Sequence, residues 1–130
     1  MTVLIWCLFV AALLPFIAKI PVAIAMNKLN GYDNAHPREQ QKKLTGFGAR
    51  ALAAHQNAFE SLIIFSAAIA IALATQNTSA LIIQLAVVHV IARILYNTLY
   101  LFNIGALRSL VWAVALGCSF TIMIQCLPAT

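Results

Sequence analysis

Charge is scarce in this sequence. Only 8% of its 130 residues are charged, and only three of those residues are acidic. Apolar residues make up 63%, and a soluble domain of this length could not bury so much apolar surface. The shortage of charge therefore excludes an ordinary water-soluble domain and indicates a protein that lies in a lipid bilayer.

Cysteine is also scarce, and the N-terminal stretch lacks basic residues. The three cysteines, Cys7, Cys118 and Cys126, lie in apolar segments. An odd number argues against a disulfide framework, so we expect small buried side chains. The stretch from Met1 to Ala18 carries no lysine or arginine. Because its apolar run exceeds a usual signal core, we expect it to remain as a span and not to be cleaved.

Four apolar segments fill most of the chain. They cover residues 3–26, 49–74, 80–102 and 107–127. Each is long enough to cross about 30 Å of hydrocarbon, for which roughly 20 residues suffice. Lipid offers the backbone no hydrogen-bond partner, so each span must be helical. Because the later connections are short, we expect one domain, residues 1–130, in which an all-α, up-down four-helix bundle crosses the membrane.

Basic residues are concentrated on one side of these spans. The connection over residues 27–48 and the start of the second span contain five of the eight, namely Lys28, Arg38, Lys42, Lys43 and Arg50. Arg108 opens the fourth span on the same side. The positive-inside rule therefore predicts a cytoplasmic loop 27–48, with both termini on the far side. This topology accounts for the net charge of +5, so we expect no nucleic-acid partner.

The loop 27–48 is the only long polar stretch. It contains turn-forming pairs such as Asn30-Gly31 and His36-Pro37. We interpret it as a linker or lid, not as a second domain. A chain this short, without a visible targeting segment, fits a bacterial inner membrane better than an organelle.

Lys19, Asn57, Glu60 and Arg93 lie inside the apolar segments. A charge at the bilayer centre costs about 2.5 to 3.5 kcal/mol on insertion scales, so such residues need partners and by default indicate a functional site. At about 1.5 Å per residue, Glu60 lies about 15 Å from Arg50 along its helix, and Arg93 lies about 13 Å from the cytoplasmic end of the third span. These similar depths predict that Glu60 and Arg93 pair.

Polar residues follow one face of each of two spans. With helical spacing, Arg50, Ala53, Asn57 and Glu60 form one stripe on the second span, and Arg93, Tyr96 and Tyr100 form another on the third. His55 lies on the opposite face of the second span. We expect a wet cleft between the stripes that opens toward the cytoplasm. Arg108 and Ser109 would lie at its mouth, where Arg108 offers a fixed cation to an anion.

The same residues also allow a purely structural interpretation. Buried polar pairs can hold helices together, at about 0.6 kcal/mol each, and this applies most to His55, His89 and Asn97. Lys19 can snorkel toward the interface, and the two tyrosines can belong to an interfacial aromatic belt. The two aligned stripes together favour a functional site over these separate explanations.

Two segments carry a family resemblance. Residues 50–60 read RALAAHQNAFE and are followed by SLIIF, and residues 93–109 read RILYNTLYLFNIGALRS. Both resemble signatures of the MAPEG family, the membrane-associated proteins in eicosanoid and glutathione metabolism. The chain length, the four spans, the long first loop and its Ala-His-Pro turn are also similar to that family. The resemblance covers nearly the whole chain.

The resemblance implies a homotrimer that binds glutathione as co-substrate between subunits, near the cytoplasmic face. Members of that family conjugate the glutathione thiol to lipophilic electrophiles, reduce peroxides or isomerise endoperoxides. By position, Asn57, Glu60, Tyr96 and Tyr100 resemble glutathione ligands, Arg108 resembles the arginine that stabilises the thiolate, and Ser109 lies beside it. No metal ion is implied.

The chemistry of glutathione fits these residue types. A nearby guanidinium such as that of Arg108 favours the thiolate, which is the nucleophile. Arg50 or Arg93 could bind the carboxylates of glutathione, and Glu60 could bind its ammonium group. A lipophilic second substrate would enter from the surrounding lipid. We therefore predict a membrane-bound, glutathione-dependent transferase or peroxidase.

Ala53 is the main departure from the family pattern, because the eicosanoid synthases have an arginine there. The change removes an expected carboxylate clamp, for which Arg50, one turn earlier, could substitute. Two alternatives stay open, and Ala53 bears on the first of them. One is a catalytically silent scaffold with the family fold. The other is a small transporter that uses Glu60 as a coupling carboxylate, although small multidrug exporters carry that carboxylate in the first span and not in the second.

Overall fold

The structure, a computed structural model that describes residues 1–128, contains five helices. They are α1 (Thr2–Asn27), α2 (Pro37–Gln41), α3 (Gly46–Ala74), α4 (Ala80–Leu101) and α5 (Gly105–Gln125). The helices α1, α3, α4 and α5 are each long and apolar enough to cross a membrane. The protein is therefore an all-α, multi-pass membrane protein, as predicted. The short α2 lies within the loop between the first two spans.

Two spans are displaced slightly from their predicted bounds. Helix α3 begins at Gly46, three residues before the predicted start. Gly46 has φ +52°, a left-handed conformation that glycine adopts at little cost, and this lets the helix begin directly after the extended Thr45. Helix α5 begins and ends two residues early. Asn103, with φ +61°, turns the backbone soon after α4 and leaves only a short connection.

Helix α3 packs on α1, α4 and α5. Its inward face is lined by small residues that are at most 4% exposed, namely Ala51, Ala54, Ala58, Ala68 and Ala72. Small side chains allow neighbouring helix backbones to approach closely, which is how helices associate within lipid. Fully buried larger residues fill the centre on the far side from the loop, among them Phe65, Ile69 and Ile82.

The outer surface of the bundle is strongly apolar. Trp6, Phe16, Ile63 and Phe102 are each exposed over at least 60% of their surface. A soluble monomer rarely exposes contiguous apolar surface on this scale. Lipid, in contrast, solvates such side chains well, so the surface fits the membrane environment that the composition predicts.

The loop between α1 and α3 is folded back on the bundle by one side chain. Gln40 is buried, and its Nε2 donates to the carbonyl oxygens of Met26 at 3.1 Å and Gly31 at 2.6 Å. Its Oε1 accepts from the Asp33 backbone N–H at 3.0 Å. The backbone N–H of His36 donates to Asp33 Oδ1 at 3.0 Å and lowers the pKa of that carboxyl. The loop is therefore a compact, hydrogen-bonded segment.

Candidate functional site

The two predicted stripes meet between α3 and α4. Arg93 is 3% exposed, and its Nη2 donates to Asn57 Oδ1 at 2.8 Å and to the Asn57 carbonyl oxygen at 3.2 Å. Asn57 Nδ2 in turn donates to Glu60 Oε2 at 2.9 Å. One amide side chain therefore connects the buried guanidinium to the carboxylate.

The predicted direct pairing of Glu60 with Arg93 is wrong. Within residues 1–128 these two side chains form no ion pair. Asn57 lies one turn before Glu60 on the same face of α3 and is the residue that meets Arg93, so its amide occupies the position expected for the carboxylate. Glu60 is instead exposed on the outer surface of the protomer. Glu60 and Arg93 do lie at similar depths, as predicted, because Asn57 forms hydrogen bonds with both side chains.

Two tyrosines extend this contact toward α5. The Arg93 Cζ atom lies 4.2 Å from the centroid of the Tyr96 ring. Tyr96 and Tyr100, one turn apart, pack edge to face at 5.5 Å between centroids. The Arg108 Cζ atom lies 4.2 Å from the centroid of Tyr100. Each arginine is thus held over an aromatic face, where the ring quadrupole attracts a cation.

Six of the predicted site residues therefore form one continuous set of contacts across three helices. We call this set the polar row; it comprises Glu60, Asn57, Arg93, Tyr96, Tyr100 and Arg108. Its ends are a carboxylate on α3 and a guanidinium on α5. Opposite charges at the two ends, with hydrogen-bonding groups between them, match a zwitterionic peptide in chemical type.

The other two predicted site residues lie beside the polar row. Arg50 Nε donates to the Leu101 carbonyl oxygen at 3.3 Å, at the end of α4. Ser109 is exposed, and its Oγ donates to the Gly105 carbonyl oxygen of its own helix at 3.1 Å. His55 lies on the opposite face of α3, as predicted, with Nδ1 2.8 Å from the Pro15 carbonyl oxygen of α1.

A cavity of about 280 Å³ lies between α3, α4 and α5. Its lining consists of Asn57, Glu60, Ser61, Ile64, His89, Arg93, Trp112, Ala115, Leu116, Ser119 and Phe120. We expected a cleft that includes the tyrosines and Arg108 and opens toward the loop side. This cavity instead runs from Asn57 toward the far half of the bundle. The rings of Tyr96 and Tyr100 pack between two guanidinium groups and do not line this cavity.

His89 also lines the cavity, although the sequence did not suggest it as a candidate site residue. It is 2% exposed, and its ring stacks on Phe65 at 3.9 Å. Its Nδ1 lies 2.9 Å from the Ala115 carbonyl oxygen and 3.1 Å from Ser119 Oγ. The available signal was its spacing of four residues from Arg93, which puts both on one face of α4.

No cluster of acidic, histidine or cysteine side chains suited to a metal ion occurs among residues 1–128.

Comparison with known proteins identifies the family. The family model of the MAPEG family matches residues 3–128. No curated protein and no solved structure gave a match. The matched residues include all four spans and the entire polar row, so the match covers nearly the whole fold. The chain belongs to the MAPEG family, the membrane-associated proteins in eicosanoid and glutathione metabolism.

Proposed function

We propose that this protein is a membrane-bound, glutathione-dependent transferase or peroxidase that acts on lipophilic compounds. The observation that carries the proposal is the polar row, which joins a carboxylate, a buried guanidinium, two tyrosines and a second guanidinium within one protomer. A merely structural pair would need only the contact between Asn57 and Arg93. Tyr96, Tyr100 and Arg108 extend that contact into a row of groups that could bind a ligand.

Each charged part of glutathione has a chemically matched group. The Glu60 carboxylate, exposed at the protomer surface, suits the glutathione ammonium group. The guanidiniums of Arg93 and Arg50 suit its carboxylates, since charge-assisted hydrogen bonds are stronger than neutral ones. Tyr96 and Tyr100 supply hydroxyl groups along the peptide. Together with family membership, the exposed Glu60 supports a homotrimer in which a neighbouring protomer covers this face.

Arg108 is the proposed activator of the thiol. Its guanidinium stays protonated and stabilises the thiolate by its charge, without any proton transfer of its own. In a transferase reaction the sulfur attacks an electrophilic carbon, a carbon–sulfur bond forms, and the leaving group departs with its electron pair. Ser109, on the neighbouring position of α5, is proposed to hydrogen-bond the substrate at this point.

A peroxidase reaction uses the same thiolate. The sulfur attacks the terminal oxygen of a hydroperoxide, the oxygen–oxygen bond breaks, and the alkoxide takes a proton to give an alcohol. The resulting sulfenic acid then condenses with a second glutathione thiol to give glutathione disulfide and water. Two thiols are oxidised for each peroxide reduced.

The proposal is tested by titrating detergent-purified protein with reduced glutathione. Thermal stability reports binding, because a ligand of the folded state raises the unfolding temperature, and ultraviolet absorbance reports the thiolate. We expect glutathione to stabilise the wild type and to give a thiolate signal that Arg108→Ala abolishes. Arg38→Ala, which removes an exposed arginine from α2, is the control and should retain both signals. Unchanged thiolate absorbance in Arg108→Ala would refute the assignment.

A catalytically silent scaffold is the second candidate, and Ala53 favours it. No arginine is present at this position to bind a carboxylate, and Arg50 is already bonded through Nε to Leu101. If millimolar glutathione fails to stabilise the wild type, the scaffold is the better explanation. The loop 27–48 on the cytoplasmic side of a bacterial inner membrane is part of both proposals.

A further inference from the structure

A groove between α1 and α4 lies on the side of the bundle opposite the cavity described above. Helix α1 packs on α3 and α4, and α5 packs on the same two helices, so the α1–α4 groove and the α3–α5 cavity face in opposite directions. The loop-side half of the groove contains a cavity of about 210 Å³, lined in part by Ile17 and Pro21 of α1 and by Asn97 and Thr98 of α4. The groove therefore lies away from the face on which Glu60 is exposed.

The polar atoms of this groove cavity are mainly hydrogen-bond acceptors. Pro21 has no N–H, so the Ile17 carbonyl oxygen lacks its usual helical donor. Asn97 Oδ1 is buried and has no hydrogen-bond partner among residues 1–128. Thr98 Oγ1 already donates its proton to the Ile94 carbonyl oxygen at 3.0 Å, so it can only accept a further hydrogen bond. Lipid tails supply no donor, and the groove cavity therefore suits a ligand that donates hydrogen bonds.

The donor that fits this position is neutral. Arg50 Nε donates to the Leu101 carbonyl oxygen at 3.3 Å, and Leu101 lines the groove cavity. A guanidinium this close repels a cationic donor such as an ammonium group. Asn97 lies about 6 Å inside the loop-side end of α4, close to the boundary between hydrocarbon and headgroups. A hydroxyl group of an uncharged lipid lies at this depth and provides the donor.

The other half of the groove is apolar. It contains a second cavity of about 170 Å³, lined among others by Trp6, Cys7, Val87 and Ile91. Trp6 lies about 16 Å from Ile17 along α1, at about 1.5 Å per residue. That distance is comparable with half of a hydrocarbon core of about 30 Å, which is the length that one acyl chain fills. A single chain can therefore extend from the first groove cavity into the second.

We propose that the α1–α4 groove binds one single-chain, uncharged lipid with free hydroxyl groups, of which a monoacylglycerol is an example. Its hydroxyl groups donate to the Ile17 carbonyl oxygen and to Asn97 Oδ1, which a turn of the terminal amide about χ2 brings to the cavity. Its chain lies against Trp6. Such pairing removes the cost of leaving acceptors without donors in an apolar surrounding. The bound lipid takes no part in the proposed reaction, and its binding requires no glutathione.

The test places the protein in phosphatidylcholine vesicles, because that lipid has no hydrogen-bond donor, and adds monoolein brominated at its double bond. The two tryptophans are Trp6 and Trp112, so a Trp112→Phe background leaves Trp6 as a reporter that bromine quenches. The matched probe is the same molecule with both hydroxyl groups methylated. We expect brominated monoolein to quench at a mole fraction about fivefold or more below that of its ether, as one buried hydrogen bond provides. Equal quenching by the two probes would mean that water satisfies the acceptors, and would overturn the inference.

Two substitutions remove the acceptors one at a time. Pro21→Ala supplies an N–H to the Ile17 carbonyl oxygen within the helix, and Asn97→Leu removes Oδ1 while keeping a side chain of similar size. Each should lower the preference for monoolein several-fold, and the double variant should show no preference. Pro15→Ala, which removes a proline of the same helix outside both groove cavities, is the control and should retain it. A preference that survives in the double variant, or that disappears in Pro15→Ala, would contradict the proposal.

The lipid site and the glutathione site can fail separately. With Trp112 restored, Pro21→Ala and Asn97→Leu should keep the glutathione thiolate signal, because the groove lies on the other side of the bundle. A preference for monoolein in a protein that does not bind glutathione would uphold the lipid site and reject only the proposed reaction. Loss of the thiolate signal together with the preference would mean that the substitutions disturb the whole bundle, and would overturn the assignment of a separate site.

Discussion

At the residue scale, Asn57 is what makes a buried arginine compatible with an apolar bundle. Arg93 is 3% exposed, and its guanidinium remains charged, so the cost of removing it from water must be offset locally. Asn57 offers both an oxygen to Arg93 and an N–H to Glu60. A carboxamide can do both because it is donor and acceptor at once. The amide thus couples the charges of two helices.

Replacement of Asn57 by alanine should therefore be costly. In Asn57→Ala the Arg93 guanidinium loses its side-chain acceptor and Glu60 loses its donor, and one unsatisfied buried polar group costs about 1 to 3 kcal/mol. We expect a fall of that size in the free energy of unfolding, measured in mixed micelles, and loss of glutathione binding. Gln56→Ala, at the adjacent exposed position, should change the stability by less than about 0.5 kcal/mol. Equal effects of the two substitutions would contradict this role for Asn57.

Helical periodicity explains why the sequence predicted the stripes but not every contact. Spacings of three and four residues fix which side chains share a face, so Arg93, Tyr96 and Tyr100 could be grouped in advance. Periodicity does not fix which of two polar residues on the same face meets the neighbouring helix. Small differences in depth and rotation decide that, and they brought Asn57, not Glu60, to Arg93. His89 was missed because a single polar residue on a buried face is usually a packing residue.

At the element scale, the loop between α1 and α3 depends on Gln40. This side chain bonds to Met26 at the end of α1 and to Gly31 and Asp33 within the loop. It therefore closes the loop across the end of the first span. Nothing in the sequence pattern marks Gln40, because a single glutamine in a polar stretch is ordinarily exposed. The fold of the loop could not be read from composition for that reason.

Gln40→Ala should open the loop without unfolding the spans. Three hydrogen bonds are lost together, while the four long helices retain their packing, since local stability follows local contacts. We expect trypsin to cleave at the exposed Arg38 and Lys42 several-fold faster in the variant, with thermal stability of the bundle little changed. Glu39→Gln disrupts only an exposed ion pair with Lys42, which contributes little to stability. Trypsin should therefore cleave this variant at the wild-type rate. Unchanged digestion of Gln40→Ala would show that other contacts hold the loop.

At the scale of the whole molecule, the surface of one protomer is not uniformly suited to lipid. Most exposed residues of the spans are apolar, but Glu60 is exposed at mid-depth on the face that bears the cavity. A carboxylate facing hydrocarbon is costly, and such residues ordinarily face other helices or water. A second protomer and a bound peptide would both remove Glu60 from lipid. The proposed trimer and the proposed glutathione site would therefore both reduce the cost of exposing the Glu60 carboxylate to lipid.

The proposed trimer predicts that assembly and thiol activation are lost together. Native mass spectrometry from a mild detergent should give a species of three times the 14.1 kDa protomer. The detergent concentration is then raised until the protomers separate. The glutathione thiolate absorbance should fall in proportion to the remaining trimer, because Glu60 then faces detergent and the neighbouring protomer no longer encloses the site. Arg108→Ala should keep the trimer mass while lacking the thiolate signal, which distinguishes assembly from activation. Separated protomers that still hold the thiolate would mean that one polar row suffices by itself, and that a neighbouring subunit contributes nothing to the site.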